Sequence, residues 1–171
     1  GNSLWQMGDS EEALEIFKNL LNQQLPNSTK RELEIKTLAI SANPLVEENI
    51  RQFCGTRDTV LQLSYLQNAI QTDPLYAPTY YLMGRFFFNE GEYEKAIPNL
   101  IRAYLLELPS DRLTNENLRI LGISLYAKGN YDQSIAVFEE LIRSEDNDAA
   151  RQYASDFIER SQWMKEQKNS N

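Results

Sequence analysis

Apolar residues recur three or four positions apart on both sides of Gly91, and again on both sides of Gly129. That spacing is the period of an amphipathic helix. Each glycine therefore marks a place where one helix ends and the chain reverses. The following helix opens on acidic residues, Glu92 and Glu94 in one case and Asp132 in the other, which suit the positive end of a helix dipole. The pattern predicts two helical hairpins. Pro98 falls early in a second helix, where it costs less than in mid-helix and adds at most a slight kink.

The hairpins are copies of one another. The segment from Tyr80 to Ile97 aligns with that from Leu118 to Ile135 at a constant offset of 38 residues. Gly84 falls on Gly122, Gly91 on Gly129, Tyr93 on Tyr131, Ala96 on Ser134, Leu100 on Phe138 and Ala103 on Leu141. The small residues Gly84 with Ala96, and Gly122 with Ser134, predict close helix approach, where a bulky side chain would clash. Within Phe86-Phe87-Phe88 the rings cannot all point one way, so Phe87 is expected in the core and Phe88 is the candidate for a binding face.

Two further copies are fainter. Gly8 to Phe17 repeats the turn and second helix, preceded by the end of a first helix at Leu4-Trp5-Gln6-Met7; Leu4, Trp5 and Ile16 would form an apolar edge. Leu66 to Pro74 reads as the close of a second helix, with Asp73-Pro74 as its stop. Thr29 to Cys54 is helical by composition, with a break or new helix start at Asn43-Pro44. This unit exceeds the usual repeat length by about 15 residues, and an extra turn or short helix is expected in it. From Asp148 to Gln167 one amphipathic helix is predicted. Its stripe is Tyr153, Ala154, Phe157, Ile158 and Trp163 or Met164, and Arg151, Glu159, Arg160, Lys165 and Glu166 cover the outside. A terminal helix with one polar face suits the cap of a stacked array, and Lys168 to Asn171 should fray.

These residues resemble the tetratricopeptide repeat. The best match runs Tyr80, Met83-Gly84, Phe87, Ala96, Leu100, Ala103 and then Pro109. The next runs Leu118, Leu121-Gly122, Leu125, Ser134, Phe138 and Leu141, with no closing proline. Pro109 lies one residue late and four extra residues separate the two clear repeats, so an irregular joint is expected there. The resemblance implies an all-α fold, an α-α superhelix or solenoid of antiparallel hairpins with a C-terminal capping helix. It implies a single domain over 1–171: a partial repeat at 1–27, a long degenerate repeat at 28–76, repeats at 77–110 and 111–147, and the cap at 148–168.

The resemblance also implies a protein or peptide segment as partner, bound on the concave face. Carried over by matching position, that face is Tyr81, Arg85, Phe88 and Asn89 from one repeat and Arg119, Ile123, Tyr126 and Ala127 from the next. Two arginines among aromatic rings suit an acidic or carboxylate-bearing segment, or else pair with nearby glutamates. Tyr81 and Ile123 stand where the carboxylate clamp of chaperone-binding relatives needs polar groups, so a chaperone tail is not the expected ligand.

Composition narrows the field. The chain has 171 residues, 25 acidic and 17 basic side chains, and a net charge of −8, which argues against a nucleic-acid binder. It has no histidine, which removes Ser-His-Asp and Cys-His catalysis and any His-ligated zinc. Cys54, the single cysteine, excludes an intrachain disulfide. No apolar run approaches the roughly 20 residues of a membrane span. No carboxylate pair or phosphate-cradling glycine loop stands out, and no cofactor or metal is implied. Asn27-Ser28-Thr29 reads as an accidental sequon, and Glu11-Glu12 and Glu47-Glu48 as solvated faces or helix starts. The chain opens at Gly1-Asn2-Ser3-Leu4, inside an expected helix, and reads as an excised fragment; compartment and oligomeric state stay open. The expectation is a binding scaffold or adaptor without catalysis. The alternatives are a spacer or self-association module, or a carrier of a small hydrophobic ligand.

Overall fold

The structure is a computed structural model that describes residues 43–170, and among these all regular structure is helical. The expected partial repeat at 1–27, the apolar edge at Leu4, Trp5 and Ile16, the Glu11-Glu12 run and the sequon at Asn27 lie outside the described residues. The helices are α1 (Pro44–Gly55), α2 (Thr59–Thr72), α3 (Ala77–Asn89), α4 (Tyr93–Leu105), α5 (Asp111–Ala127), α6 (Tyr131–Ser144) and α7 (Asp148–Asn169). The chain divides into two compact units, with the boundary between Thr79 and Tyr80.

In the first unit α1 and α2 pack as a hairpin. Asn43 caps α1, its Oδ1 accepting from the Leu45 N–H at 3.0 Å, and Pro44 takes the first helical position, where its missing N–H costs nothing. Val46, Ile50 and Phe53 bury one face of α1, and Leu66 and Ala69 one face of α2. Asp58 caps α2 by accepting from Val60 and Leu61. The helix stops at Asp73, before Pro74. Tyr76 follows; its burial, with Asp73 and Glu47 adding to it, pushes the phenol well above the ordinary tyrosine range.

The second unit begins at Tyr80, inside α3, and in it α4 packs on α5, α5 on α6 and α6 on α7. The turns at Gly91 and Gly129 are the same object. Both glycines are left-handed, with φ of 74° and 77°. In each, the glycine N–H and the next N–H reach back to the last carbonyls of the preceding helix. Gly91 donates to Phe88 and Glu92 to Phe87; Gly129 donates to Tyr126 and Asn130 to Leu125. At Gly84 and Gly122 the paired helices lie close together. A Cβ on Gly84 would lie 2.6 Å from Leu100 Cγ, and one on Gly122 would lie 2.7 Å from the Phe138 ring. The atoms nearest to that Cβ belong to Leu100, and Ala96 is itself fully buried. At Gly122 the expected partner does engage, because Ser134 Oγ donates to the Gly122 carbonyl at 2.9 Å.

Pro98 is exposed and α4 runs through it unbroken. Phe87 is only half-buried. Lys95, in the first turn of α4, lays its ammonium 5.4 Å from the Phe87 centroid, and Phe86 meets the same ring edge-on. The irregular joint takes a definite form. The chain leaves α4 through Glu107, a left-handed non-glycine residue at φ 62°, and Ser110 then caps α5. The extra residues lengthen α5 to 17 residues against 13 for α3, so the insertion becomes an added N-terminal helical turn.

The core of α5, α6 and α7 is Leu118, Phe138, Leu141 and Ala154. Phe157 stacks on Phe138 with centroids 5.0 Å apart. Asn117 is fully buried and its Nδ2 donates to the Leu100 carbonyl at 2.9 Å, tying α5 to α4. In α7, Met164 is half-buried while Trp163 is 58% exposed, so the stripe runs through the methionine; the helix continues to Asn169.

Candidate functional site

The first helices of successive hairpins, α3, α5 and α7, each carry side chains at a four-three spacing on one face. On α5 these are Arg112, Glu116, Arg119, Ile123 and Tyr126. A spacing of this kind keeps residues on one side of a helix over several turns. On α3 the corresponding run is Tyr81, Arg85 and Phe88, and on α7 it is Tyr153, Phe157 and Arg160.

The centre of the face is a charge cluster. Arg119 grips Glu116 with two hydrogen bonds, Nε to Oε2 at 2.9 Å and Nη2 to Oε1 at 2.7 Å. Both side chains stay more than a third exposed. Burial works to raise the Glu116 carboxyl; the Arg119 hydrogen bonds and charge outweigh it, with help from Arg85 and Arg112, and hold it below the ordinary glutamate range. Its hydrogen bonds to Glu116 in turn hold the Arg119 guanidinium above its ordinary range against partial burial, and Tyr153 on α7 acts in the same direction. One carboxylate thus feels arginines from α3 and from two turns of α5, and the middle arginine feels a phenol from α7. Arg85 also lies 5.4 Å from the Tyr81 ring centroid, and its Nη1 donates to the Tyr81 hydroxyl at 3.4 Å.

The residues picked out from the sequence divide by depth. Arg85 and Arg119 are half-exposed and electrostatically linked through Glu116. Tyr81 is 2% exposed, so its part is to carry Arg85. Phe88 is half-buried edge-on against Tyr93. Ile123 packs on the α5–α6–α7 core, and Tyr126 meets Tyr131 and Phe157 edge-on, so this end of α5 is covered by the capping helix. Asn89 and Ala127 are exposed at the helix ends. Glu116 and Arg112 were not picked out from sequence, and Tyr153 and Phe157 were expected only as members of the apolar stripe of α7. The first two were visible as the continuation of the Arg119–Ile123–Tyr126 spacing toward the N-terminus; the last two depend on where α7 docks. Elsewhere in this unit, an open cleft of about 360 Å³ sits at the α4–α5 joint, lined by Tyr104, Leu105, Glu107, Leu108 and Thr114. No described helix is long and apolar enough to cross a membrane.

Hairpins of equal pattern, closed by matching glycine turns and stacked helix on helix, define an α-helical repeat protein. The comparison with family models names the repeat. The tetratricopeptide repeat matches residues 77–108 and again residues 116–148. Residues 77–108 and 116–148 of the chain are tetratricopeptide repeats. The second match begins inside α5, leaving the added turn outside it. No curated protein and no solved structure matches the chain. Tetratricopeptide repeats are in general protein-interaction modules, and proteins built from them are typically non-enzymatic scaffolds.

Proposed function

We propose that this chain is a scaffold or adaptor module, without catalysis of its own, that binds an extended acidic segment of another protein along the α3–α5–α7 face. The observation that carries the reading is the sign of the face. In a chain with a net charge of −8, Arg119 holds Glu116 with two hydrogen bonds, and Arg85 and Arg112 add to the positive field at that carboxylate. Arginine presents a planar fork that fits carboxylates, and the Tyr81 ring behind Arg85 holds one fork in place. An acidic segment would gain both steering and charge-assisted hydrogen bonds there.

The test is binding of acidic, neutral and basic peptides of equal length by the purified chain, read by fluorescence polarisation. Acidic peptides should bind tightest, and Arg85→Ala with Arg119→Ala should weaken them by about tenfold or more, since hydrogen bonds to charged groups contribute about 1.5–3 kcal/mol each. Equal binding of acidic and neutral peptides, or an unaffected double variant, would refute it.

A further inference from the structure

The open cleft at the α4–α5 joint lies beside an exposed apolar stripe on α4. Ile101, Tyr104 and Leu105 are 41%, 38% and 67% exposed. Tyr104 and Leu105 also line the cleft, and Glu107, Leu108 and Thr114 complete it. Packing of the repeat does not call for apolar residues there. At the 38-residue offset, Ile101, Leu105 and Leu108 fall on Glu139, Arg143 and Asp146, all exposed. The second repeat thus folds with charged side chains where the first repeat carries apolar ones. The same offset sets Glu107 on Glu145. Glu145 has an ordinary backbone at φ −98°, and its carboxylate accepts from Asn115 Nδ2 at 3.2 Å and from the Asn147 N–H at 3.0 Å. Glu107 is exposed and left-handed at φ 62°, and among the described residues its carboxylate makes no hydrogen bond or ion pair. A glycine takes such a backbone freely, as Gly91 and Gly129 do at other helix ends. The chain instead keeps a strained residue with an unmatched charge in the lining of an apolar cleft.

We propose that the cleft and stripe form a second docking site, whose occupant is a partner segment carrying a large apolar side chain next to a lysine or arginine. At about 360 Å³ the cleft is at the small end of ligand pockets, which suits one or two side chains of a segment lying across it. The apolar side chain enters beside Tyr104, Leu105 and Leu108, and the neighbouring base meets the Glu107 carboxylate. The preferred charge is opposite to that proposed for the α3–α5–α7 face, and the site stands whether or not that face binds an acidic segment.

The experiment titrates the 171-residue chain, methyl-labelled at leucine and threonine, with the peptide Gly-Ser-Leu-Arg-Ser-Gly and with forms carrying Leu-Glu or Ser-Arg at its centre, read by methyl NMR. The Leu-Arg peptide should bind tightest and shift the methyls of Leu105, Leu108 and Thr114. Leu105→Ser, at an exposed position, should weaken it about tenfold. Glu107→Gln should weaken it about threefold, in the range of an exposed ion pair, and remove its advantage over the Leu-Glu peptide. Glu107→Gly relieves the left-handed backbone, so Tm should hold or rise while the peptide weakens by the same factor. A fall in Tm for Glu107→Gly would assign Glu107 to the fold and overturn its role in binding. Equal binding of the Leu-Arg and Leu-Glu peptides to the wild-type chain overturns the charge preference. Methyl shifts confined to other residues, or no shifts, overturn the site. Self-association of the chain that Leu105→Ser abolishes would give the stripe to a second copy and overturn the proposal. Arg85→Ala with Arg119→Ala should leave Leu-Arg binding intact; a loss there would move the peptide to the other face and overturn the cleft.

Discussion

Gly84→Ala tests whether the close approach of α3 and α4 is what the repeat glycine is for. The added methyl would sit 2.6 Å from both Cγ and Cδ2 of Leu100 and 3.2 Å from the Leu100 backbone nitrogen. Ordinary carbon contacts lie near 3.5–4.0 Å, so the shortfall is about 1 Å. Leu100 has no exposed surface to retreat into. Overpacking a tight core by one methyl costs about 1–3 kcal/mol. Removing a helical glycine returns about 0.5–1 kcal/mol through the unfolded chain. The mid-range net loss is about 1 kcal/mol, or about 2–4 °C in Tm for a protein of this size. Thermal unfolding by far-UV circular dichroism reads it directly. Gly122→Ala should lose at least as much, because its methyl meets the Phe138 ring at 2.7 Å and that ring is held from behind by Phe157. Gly55→Ala is the control: it ends α1, has nothing within 4 Å of the built Cβ, and should be neutral or slightly stabilising. A Gly84→Ala chain as stable as wild type, alongside an unchanged Gly55→Ala, would refute the packing argument.

Ser134→Ala removes the 2.9 Å hydrogen bond to the Gly122 carbonyl but fits sterically, since Ala96 fills the matching place one repeat earlier; a loss of about 0.5–1.5 kcal/mol in urea unfolding is expected. Asn117→Asp keeps the shape of a fully buried residue while setting an oxygen against the Leu100 carbonyl. Burial raises such a carboxyl, so the variant's stability deficit should be smallest below about pH 4 and widen as pH rises; a deficit independent of pH would refute it. Glu116 has a depressed carboxyl, so the stabilisation from its pair is present above about pH 4 and is lost as pH falls through the lower folded value. Side-chain NMR should show Glu116 titrating below the ordinary glutamate range, and Arg119→Ala should move that titration upward.

The fold was legible because its determinants are local. Gly91 and Gly129 announce their turns by being the residues that tolerate a left-handed backbone at a helix end, and the 38-residue offset aligns each with its own hairpin. Asn43-Pro44 and Asp73-Pro74 are equally local signals, one opening α1 and the other following the end of α2. Phe87 is less deeply buried than expected, and its ring faces the ammonium of Lys95 on the next helix at 5.4 Å from the centroid, a neighbour that spacing within α3 does not reveal. The choice between Trp163 and Met164 failed to resolve for the same reason: both lie near the apolar stripe, and only the docking of α7 on α6 decides which ring or thioether turns inward.

The proposed binding face was half legible, and the reason is physical. Position within a repeat tells which side of a helix a residue occupies, so Arg85 and Arg119 could be assigned to one face from spacing. Position does not tell what stands beside that residue on the next helix. Ile123 and Tyr126 hold the same register as Arg119, yet the capping helix claims them through Phe157, whereas Arg119 keeps a third of its surface in solvent. The added turn of α5 then breaks the symmetry between repeats. It extends the stripe backward to Arg112 and sets a third arginine near Glu116, a grouping absent from α3, whose run begins with Pro78 and Tyr81. A repeat array that bound through its shared positions alone would present the same chemistry at each step. Among the described residues the added turn brings Arg112 to the step where the period fails, so on the proposed reading the departure from the repeat, more than the repeat itself, gives this face its preference for a partner.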